Sequence, residues 1–178
     1  MTPLDYSDYL EQCETLKYNI HDTMIALPHD FWAMHNRLTQ IINYEHDELV
    51  LQNFTKRLAE RVCLEFSADG LLVRQPHSLK EIEDEGRILS HCVGGYAERH
   101  AMGKLSIMFL RKVSEPDKPY YTVEVNQYGG IVQCRGYRNN VVQNGGEDKP
   151  QEIKDFEQKY QLYLDRVFAE KRKECKTA

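Results

Sequence analysis

The chain has 178 residues, of which 41% are hydrophobic and 29% charged, and its net charge is −5. This length suits one compact domain with a buried core, and the composition is that of a globular rather than a disordered protein. The acidic charge disfavours a protein that coats duplex DNA, so any nucleic-acid binding must be local.

Neither a membrane span nor a leader is predicted. No apolar run approaches the ~20 residues that cross a bilayer. The first residues lack the basic and apolar regions of a signal peptide. We therefore expect a cytoplasmic protein without membrane association.

The cysteines are odd in number, scattered and never spaced as CxxC: Cys13, Cys63, Cys92, Cys134 and Cys175. This pattern disfavours both a disulfide framework and a structural zinc site, and free thiols are expected. We predict no metal ligand set, and the sequence leaves the identity of any cofactor open.

The first sixty residues are predicted to be helical. Residues 4–19 repeat apolar side chains at helical spacing: Leu4, Tyr9 or Tyr6, Cys13 and Leu16. Asp30 is a suitable N-cap for a long helix over 31–60, with a break expected near 44–47 because of its length. The stripe of this helix consists of Phe31, Met34, Leu38, Ile41, Ile42, Leu49, Leu51, Phe54, Leu58 and Val62.

A hairpin and a capped helix come next. Residues 63–66 and 71–74 flank an Asp69-Gly70 turn, which is typical of a β-hairpin. Ser78 and Glu81 form a capping box that begins a helix. Gly86 lies inside this helix at a cost of about 1 kcal/mol against alanine, and close packing of another backbone would explain it.

Three strands follow a short helix that ends at Gly103. They are predicted at 105–112, 119–126 and 131–138, as an antiparallel meander. Residues 139–149 are expected to be the least ordered interior loop. A last helix over 150–172 has the stripe Ile153, Phe156, Tyr160, Tyr163 or Leu164, and Val167, and a charged, frayed tail is expected at 170–178.

Together these elements predict an α+β fold in one domain, 1–178. Its parts are a helical lead-in at 20–62, a core at 63–140 with most of the unusual polar residues, and the C-terminal helix.

Strand alternation places polar side chains together on one face of the meander. Thr122 and Glu124 alternate with buried valines, and Gln133 and Arg135 do the same on the next strand. We predict that Glu124 and Arg135 face each other as an ion pair. Val123 and Val125 would share the core side with Val132 and Cys134. The alternative is an ordinary solvated sheet face.

The segment 91–96 adds reactive groups. His91 is a candidate acid or base, or else a helix cap or buried hydrogen-bonded group. Cys92 is a nucleophile or a packed thiol. The twin glycines at 94–95 offer backbone N–H groups to an anion, or permit tight packing. Arg111, at the end of the first strand, is predicted to project to the same region.

Assembled, these motifs resemble those of PcfJ-like proteins, which are encoded on conjugative plasmids, phages and related mobile elements of bacteria. The similarity covers roughly residues 20–170. Its motif positions are His91, Cys92, Tyr96, Arg111, Thr122, Glu124, Gln133, Arg135 and Asn139. The resemblance implies an accessory role in DNA processing during plasmid transfer. It assigns no catalytic role to these residues, and the chain is short for such proteins.

Three functions are compatible with these residues. The first is a polar pocket for a nucleotide or a single-stranded nucleic-acid end. In it Arg111 and Arg135 contact phosphate, Glu124 and Gln133 contact sugar or base, and Tyr96, Thr122 and Asn139 complete the ligand-binding set. The catalytic candidates are His91 and Glu124.

The second function is a nucleotide-dependent enzyme, by analogy with ADP-ribosyl transfer, which uses a similar order of His, hydroxyl and Glu residues. The third is a non-catalytic module that binds proteins of a DNA-transfer complex. A closed polar network without a cavity would favour the third function, and an open cleft the first two.

Overall fold

A computed structural model of the chain describes residues 2–140 and 149–177, with the side chains of Tyr44 and 174–177 excluded. Its helices and one five-stranded antiparallel sheet confirm the α+β class. The chain divides into two compact units, Met1–Val50 and Leu51–Ala178.

The first unit is helical. It contains α1 (Pro3–Thr15), α2 (Thr23–Ala26) and the first part of α3 (Phe31–Arg61). Its core is formed by Tyr9, Cys13 and Leu38. Leu4, expected in the core, is 71% exposed, because at 100° per residue it lies roughly 140° around the helix from Tyr9.

Helix α3 runs from Phe31 to Arg61 without the expected break. The predicted apolar stripe was wrong in the middle of this helix, since Leu49 and Leu51 are exposed and Val50 is buried. It was also wrong at its end, since Val62 lies beyond the helix in a 3-10 turn and is exposed. Val50 precedes the buried Phe54 by four residues, which is the helical repeat.

The sheet belongs to the second unit and follows the order of the chain. Its strands are β1 (Phe66–Ala68), β2 (Leu71–Arg74), β3 (Leu105–Lys112), β4 (Tyr121–Asn126) and β5 (Ile131–Arg135), all antiparallel to their neighbours. The β1–β2 hairpin extends the predicted meander to five strands. Its second strand is confirmed, but the first was predicted at 63–66 and lies at Phe66–Ala68, because Val62–Leu64 form a 3-10 turn. Asp69 and Gly70 both have positive φ, as a tight hairpin turn requires.

Helices cover both faces of the sheet. One face packs against α4 (Leu79–Leu89) and a 3-10 turn at Cys92–Tyr96, which leads into α5 (Ala97–Ala101). The other face packs against α6 (Gln151–Thr177). The α4 side buries Ile82, Val93, Leu105, Ile107 and Phe109. The α6 side buries Leu71, Val73, Met108, Leu110, Val123, Val125, Cys134, Ile153, Phe156, Tyr160 and Leu164.

Strand β5 departs from the prediction. The register shifts between Glu124 and Val125, so that Ile131 lies opposite Val125. This bulge turns Ile131 towards the core and leaves Val132 56% exposed. Val132 was therefore wrongly predicted as a core residue.

The ends of the last elements also differ. β5 stops at Arg135, three residues early, because the chain enters a turn at Tyr137–Asn140 with positive φ at three successive residues. Helix α6 continues to Thr177 and includes most of the segment expected to fray. Of the expected disordered loop, residues 141–148 lie outside the described part of the chain.

Within residues 2–140 and 149–177, none of the helices combines the length and apolar character of a membrane span. The same residues contain no cluster of three or more His, Cys, Asp or Glu side chains that could hold a metal ion.

Candidate functional site

The end of α4 positions His91. Ser78 Oγ accepts a hydrogen bond from the Glu81 backbone N–H at 3.1 Å and begins the helix, as predicted. Ser90 ends it in a left-handed conformation (φ 53°), and the His91 N–H donates to the Gly86 carbonyl at 3.0 Å. The chain is thereby turned back along α4.

Gly86 has the close backbone neighbour that its position predicted. A Cβ atom there would lie 2.7 Å from Gly94 N and 3.0 Å from the His91 carbonyl oxygen. The segment that contains His91 is therefore seated directly on the backbone of α4.

A cleft opens beside this segment, on the α4 side of β3, β4 and β5. Seven of the eight predicted site residues line it: His91, Tyr96, Thr122, Glu124, Gln133, Arg135 and Asn139. Cys92, Val93 and Ile107 complete the lining. The structure thus brings together residues from four separate segments of the chain.

The cleft is narrow. It encloses about 280 Å³ of space including its open mouth, but the centre of a water molecule can occupy only about 20 Å³ of it. That is room for one or two waters. The described geometry therefore suits one small polar group of a ligand, with the remainder outside.

Glu124 is paired with Gln133, not with Arg135. Gln133 Nε2 donates to Glu124 Oε2 at 2.6 Å, and the two residues are register partners. Arg135 lies opposite Thr122. The predicted Glu124–Arg135 pairing is wrong because the turn and bulge set the register two residues away from the one assumed.

Arg111 is the predicted site residue that the cleft excludes. It is 1% exposed, and its guanidinium makes a bidentate ion pair with Glu85, at 2.9 and 2.6 Å. Its Cζ lies 4.6 Å from the centre of the Phe109 ring. Arg111 is on the predicted sheet face but lies beneath α4.

Glu85, the ion-pair partner of Arg111, was not among the predicted site residues. It is 2% exposed. The available signal was its position, three residues after Ile82 and four before Leu89, on the apolar stripe of an amphipathic helix. A carboxylate on that stripe is buried and needs a partner.

Thr122 connects the ion pair to the cleft. Its hydroxyl donates to Glu85 Oε1 at 3.1 Å, and its Oγ1 lies 3.4 Å from His91 Nε2. Burial lowers the pKa of His91, which favours a neutral ring at pH 7. Burial raises the pKa of Glu85, while Arg111 and Thr122 act in the opposite direction.

Tyr96 forms another wall of the cleft. A hydrogen bond with Cys92 raises the pKa of Tyr96, so the phenol stays protonated at neutral pH. The Arg99 guanidinium lies 5.2 Å from the centre of its ring. Tyr96 therefore contributes its aromatic ring and a protonated phenol to the wall of the cleft.

The turn after β5 supplies Asn139. Asn140 Oδ1 accepts a hydrogen bond from the Gly136 N–H at 2.6 Å. A Cβ atom on Gly136 would lie 2.8 Å from that oxygen, so this close turn requires glycine. Arg138, Asn139 and Asn140 all adopt positive φ, and this left-handed turn brings Asn139 to the edge of the cleft.

Comparison with known proteins gives a family. The model of the PcfJ-like protein family matches residues 5–149. An uncharacterized protein of Listeria innocua, Lin1253/Lin1744, is 31% identical over 136 residues, which are 75% of this chain and 30% of that protein. The chain thus spans about a third of the length of this relative, and no solved structure matches significantly. Since the family model covers most of its length, the chain belongs to the PcfJ-like family.

Proposed function

We propose that this PcfJ-like chain is an accessory protein of bacterial mobile genetic elements whose cleft binds a nucleotide or the end of a single nucleic-acid strand during DNA processing or transfer. The observation that carries the proposal is the convergence of seven polar or aromatic side chains, from four segments, on one cleft. Polar residues that only face solvent would have no reason to converge on one opening.

The chemistry of the cleft supports a nucleotide. The Arg135 guanidinium has the geometry to contact phosphate oxygens. Glu124, held by Gln133, accepts hydrogen bonds from sugar hydroxyls or base amino groups. Tyr96 provides an aromatic surface and a hydroxyl.

The size of the cleft and the net charge of the chain favour binding of one nucleotide or strand end over contact along a whole nucleic-acid strand. The narrow interior takes one group of a ligand. The net charge of −5 opposes extended contact with a phosphate backbone. A mononucleotide or a strand end meets both conditions, whereas the middle of a duplex does not.

An open cleft supports binding over a purely structural network. The Glu85–Arg111 pair is closed and buried, as a non-catalytic module would have it. The other motif residues instead line an opening. Since His91, Thr122 and Glu124 share that opening, a nucleotide-dependent transfer enzyme is the second candidate.

The test is a calorimetric titration with AMP, ATP, NAD and a short single-stranded oligonucleotide. The wild type is compared with Arg135→Ala and, as a matched control, with Arg87→Ala on the exposed side of α4. We expect the wild type and Arg87→Ala to bind alike and Arg135→Ala to bind about tenfold or more weakly.

Unchanged affinity in a folded Arg135→Ala protein would remove the phosphate assignment. Absence of binding by every ligand would overturn the proposal. If NAD binds, product analysis with wild type and Glu124→Gln separates an enzyme from a binder. Turnover that is lost in the variant supports the second candidate.

A further inference from the structure

The turn after β5 forms one side of the cleft. It consists of Tyr137–Asn140, leaves the end of β5 and packs against α4. Asn139, in the middle of the turn, is one of the residues that line the cleft. A movement of this turn would therefore change the size of the opening.

The backbone of this turn is strained. Arg138, Asn139 and Asn140 have φ angles of 50°, 57° and 60°, which lie in the left-handed region. Residues other than glycine enter that region at a steric cost, and asparagine tolerates it better than arginine. They normally do so singly and not three in succession. The turn keeps this conformation because contacts with its surroundings offset the cost.

The buried anchor of the turn is Asn140, which is 8% exposed. Its Oδ1 accepts the hydrogen bond from the Gly136 N–H at 2.6 Å, and its Nδ2 donates to the Tyr121 hydroxyl at 3.4 Å, a long hydrogen bond. The other three residues of the turn are exposed. The main hold on the closed turn is therefore one amide side chain at its end.

The other walls of the cleft are held more firmly. Strands β4 and β5 are paired in the sheet, and the segment 91–96 is seated on the backbone of α4. In the described conformation the interior admits only one or two waters. A larger ligand group therefore enters only if a wall moves, and the strained, exposed turn is the wall with the least support.

We propose that the Tyr137–Asn140 turn is a strained latch on the cleft, which Asn140 holds closed and which opens to admit a ligand group larger than water. In the open form the Gly136 N–H loses its bond to Asn140, the left-handed residues relax, and Asn139 moves away from the cleft. The latch deepens the proposed function by naming the element that controls access, and the class of ligand rests on that function.

Hydrogen exchange measured by NMR tests the opening without any ligand. The reporter is the amide of the buried Gly136, and the reference is the amide of Ile107, which donates to His100 inside the core. After correction for intrinsic rates, the Gly136 amide should exchange about tenfold or more faster than the Ile107 amide, because the turn opens while the sheet stays folded. Equal protection of the two amides would overturn the latch, since the turn would then open only when the protein unfolds.

Two variants at one position test the strain. Arg138→Gly and Arg138→Ala remove the same exposed side chain, including its contact with the Tyr137 ring at 5.4 Å. Glycine alone adopts positive φ without a steric cost. Relative to Arg138→Ala, Arg138→Gly should slow exchange of the Gly136 amide by about threefold or more, because the closed turn is stabilised. Equal exchange in the two variants would mean that no strain favours opening, and the proposal would be wrong.

Access to the cleft is measured by alkylation with iodoacetamide, read out by mass spectrometry of peptides. Ile107 lines the cleft and is 1% exposed, so the thiol introduced by Ile107→Cys reports entry of the reagent. The native thiol of Cys134, buried on the α6 side, reports global unfolding in the same sample. Adding Asn140→Gly, which removes the anchor but permits positive φ, should raise alkylation at position 107 relative to Cys134 by about tenfold.

Asn140→Asp is the matched control, because it keeps an oxygen that accepts the hydrogen bond from the Gly136 N–H. Its alkylation at position 107 should stay close to that of the parent protein. An unchanged ratio in Asn140→Gly would show that the turn does not control access, and would overturn the latch. If Ile107→Cys does not fold, the exchange rates of the Gly136 amide decide alone.

The outcomes separate the latch from the proposed function. If the turn opens and controls alkylation but neither a nucleotide nor an oligonucleotide binds, the proposed function fails and the latch remains. If a nucleotide binds while the Gly136 amide is as protected as the Ile107 amide, the proposed function remains and the latch fails.

Discussion

At the scale of single residues, burial decided which charged side chains reach the cleft. Arg111 was predicted to contact phosphate, yet it is almost completely enclosed and its charge is paired with Glu85. Arg135 lies on the same sheet face and lines the cleft. Alternation along a strand gives the face of a side chain but not what covers it.

The packing at Gly86 gives a residue-scale prediction. Gly86→Ala should lower the free energy of unfolding by about 1–2 kcal/mol, although alanine is the better helix former. The reason is that the new methyl group would overlap the Gly94 backbone, which lies 2.7 Å away. Urea denaturation measures the difference.

Gly95→Ala is the matched control, because a Cβ atom at Gly95 has no neighbour within 4 Å. Its stability should stay within about 0.5 kcal/mol of the wild type. If Gly86→Ala were more stable than the wild type, the close approach of the two backbones would not exist in solution.

At the scale of elements, local signals located the helices and strands better than they located their contacts. The Ser78 cap, the Asp69-Gly70 turn and strand β3 lie where the sequence predicted them. Strands β1 and β4 begin later than predicted, and β5 ends earlier. The predicted β4–β5 register was wrong because the tight turn fixes Asn126 against Gly130, and the bulge after Glu124 then shifts the pairing by one residue only, to Gln133. A bulge depends on both strands and the turn together, so alternation in either strand does not reveal it.

The packing of α5 against β3 predicts a dependence of stability on pH. His100 is fully buried and its Nδ1 accepts a hydrogen bond from the Ile107 N–H at 2.9 Å. Burial, and secondarily the charge of Arg61, lower the pKa of His100 to about 3. The folded protein therefore keeps this ring neutral where the unfolded chain, with a pKa of 6.5, binds a proton.

His100 thus contributes stability that is fully present above pH 6.5 and is lost as the pH falls towards 3. The loss should approach about 1.4 kcal/mol per pH unit in this window. We therefore measure the free energy of unfolding of the wild type and of His100→Gln between pH 7 and 4. In the variant this free energy should change less steeply with pH, by the equivalent of about one proton. Equal slopes in the two proteins would contradict the lowered pKa.

At the scale of the second unit, the sheet is the central layer between α4 with its 3-10 turn on one side and α6 on the other. The cleft opens on the α4 side, while α6 supplies the larger apolar contact. The fold therefore separates the face that carries the candidate site from the face that contributes most of the core.

This division predicts different effects along α6. Phe156 is 1% exposed against the sheet, and Phe156→Ala should cost about 3–5 kcal/mol of stability through the lost contacts and the cavity. Leu162→Ala, at a position that is 60% exposed on the same helix, should change stability by less than about 0.5 kcal/mol. Comparable losses in thermal denaturation would mean that α6 does not pack as described.

The sequence by itself determined the α+β class, the approximate elements, the family and seven of the residues that line the cleft. These follow from short-range rules of periodicity, capping and alternation, together with family motifs. The tertiary structure decided that Glu124 pairs with Gln133. It also decided that Arg111 is enclosed and paired with Glu85, which lies 26 positions away in the sequence. Such choices depend on how α4 is placed over the sheet and on the register of its strands, which no local stretch of the chain specifies.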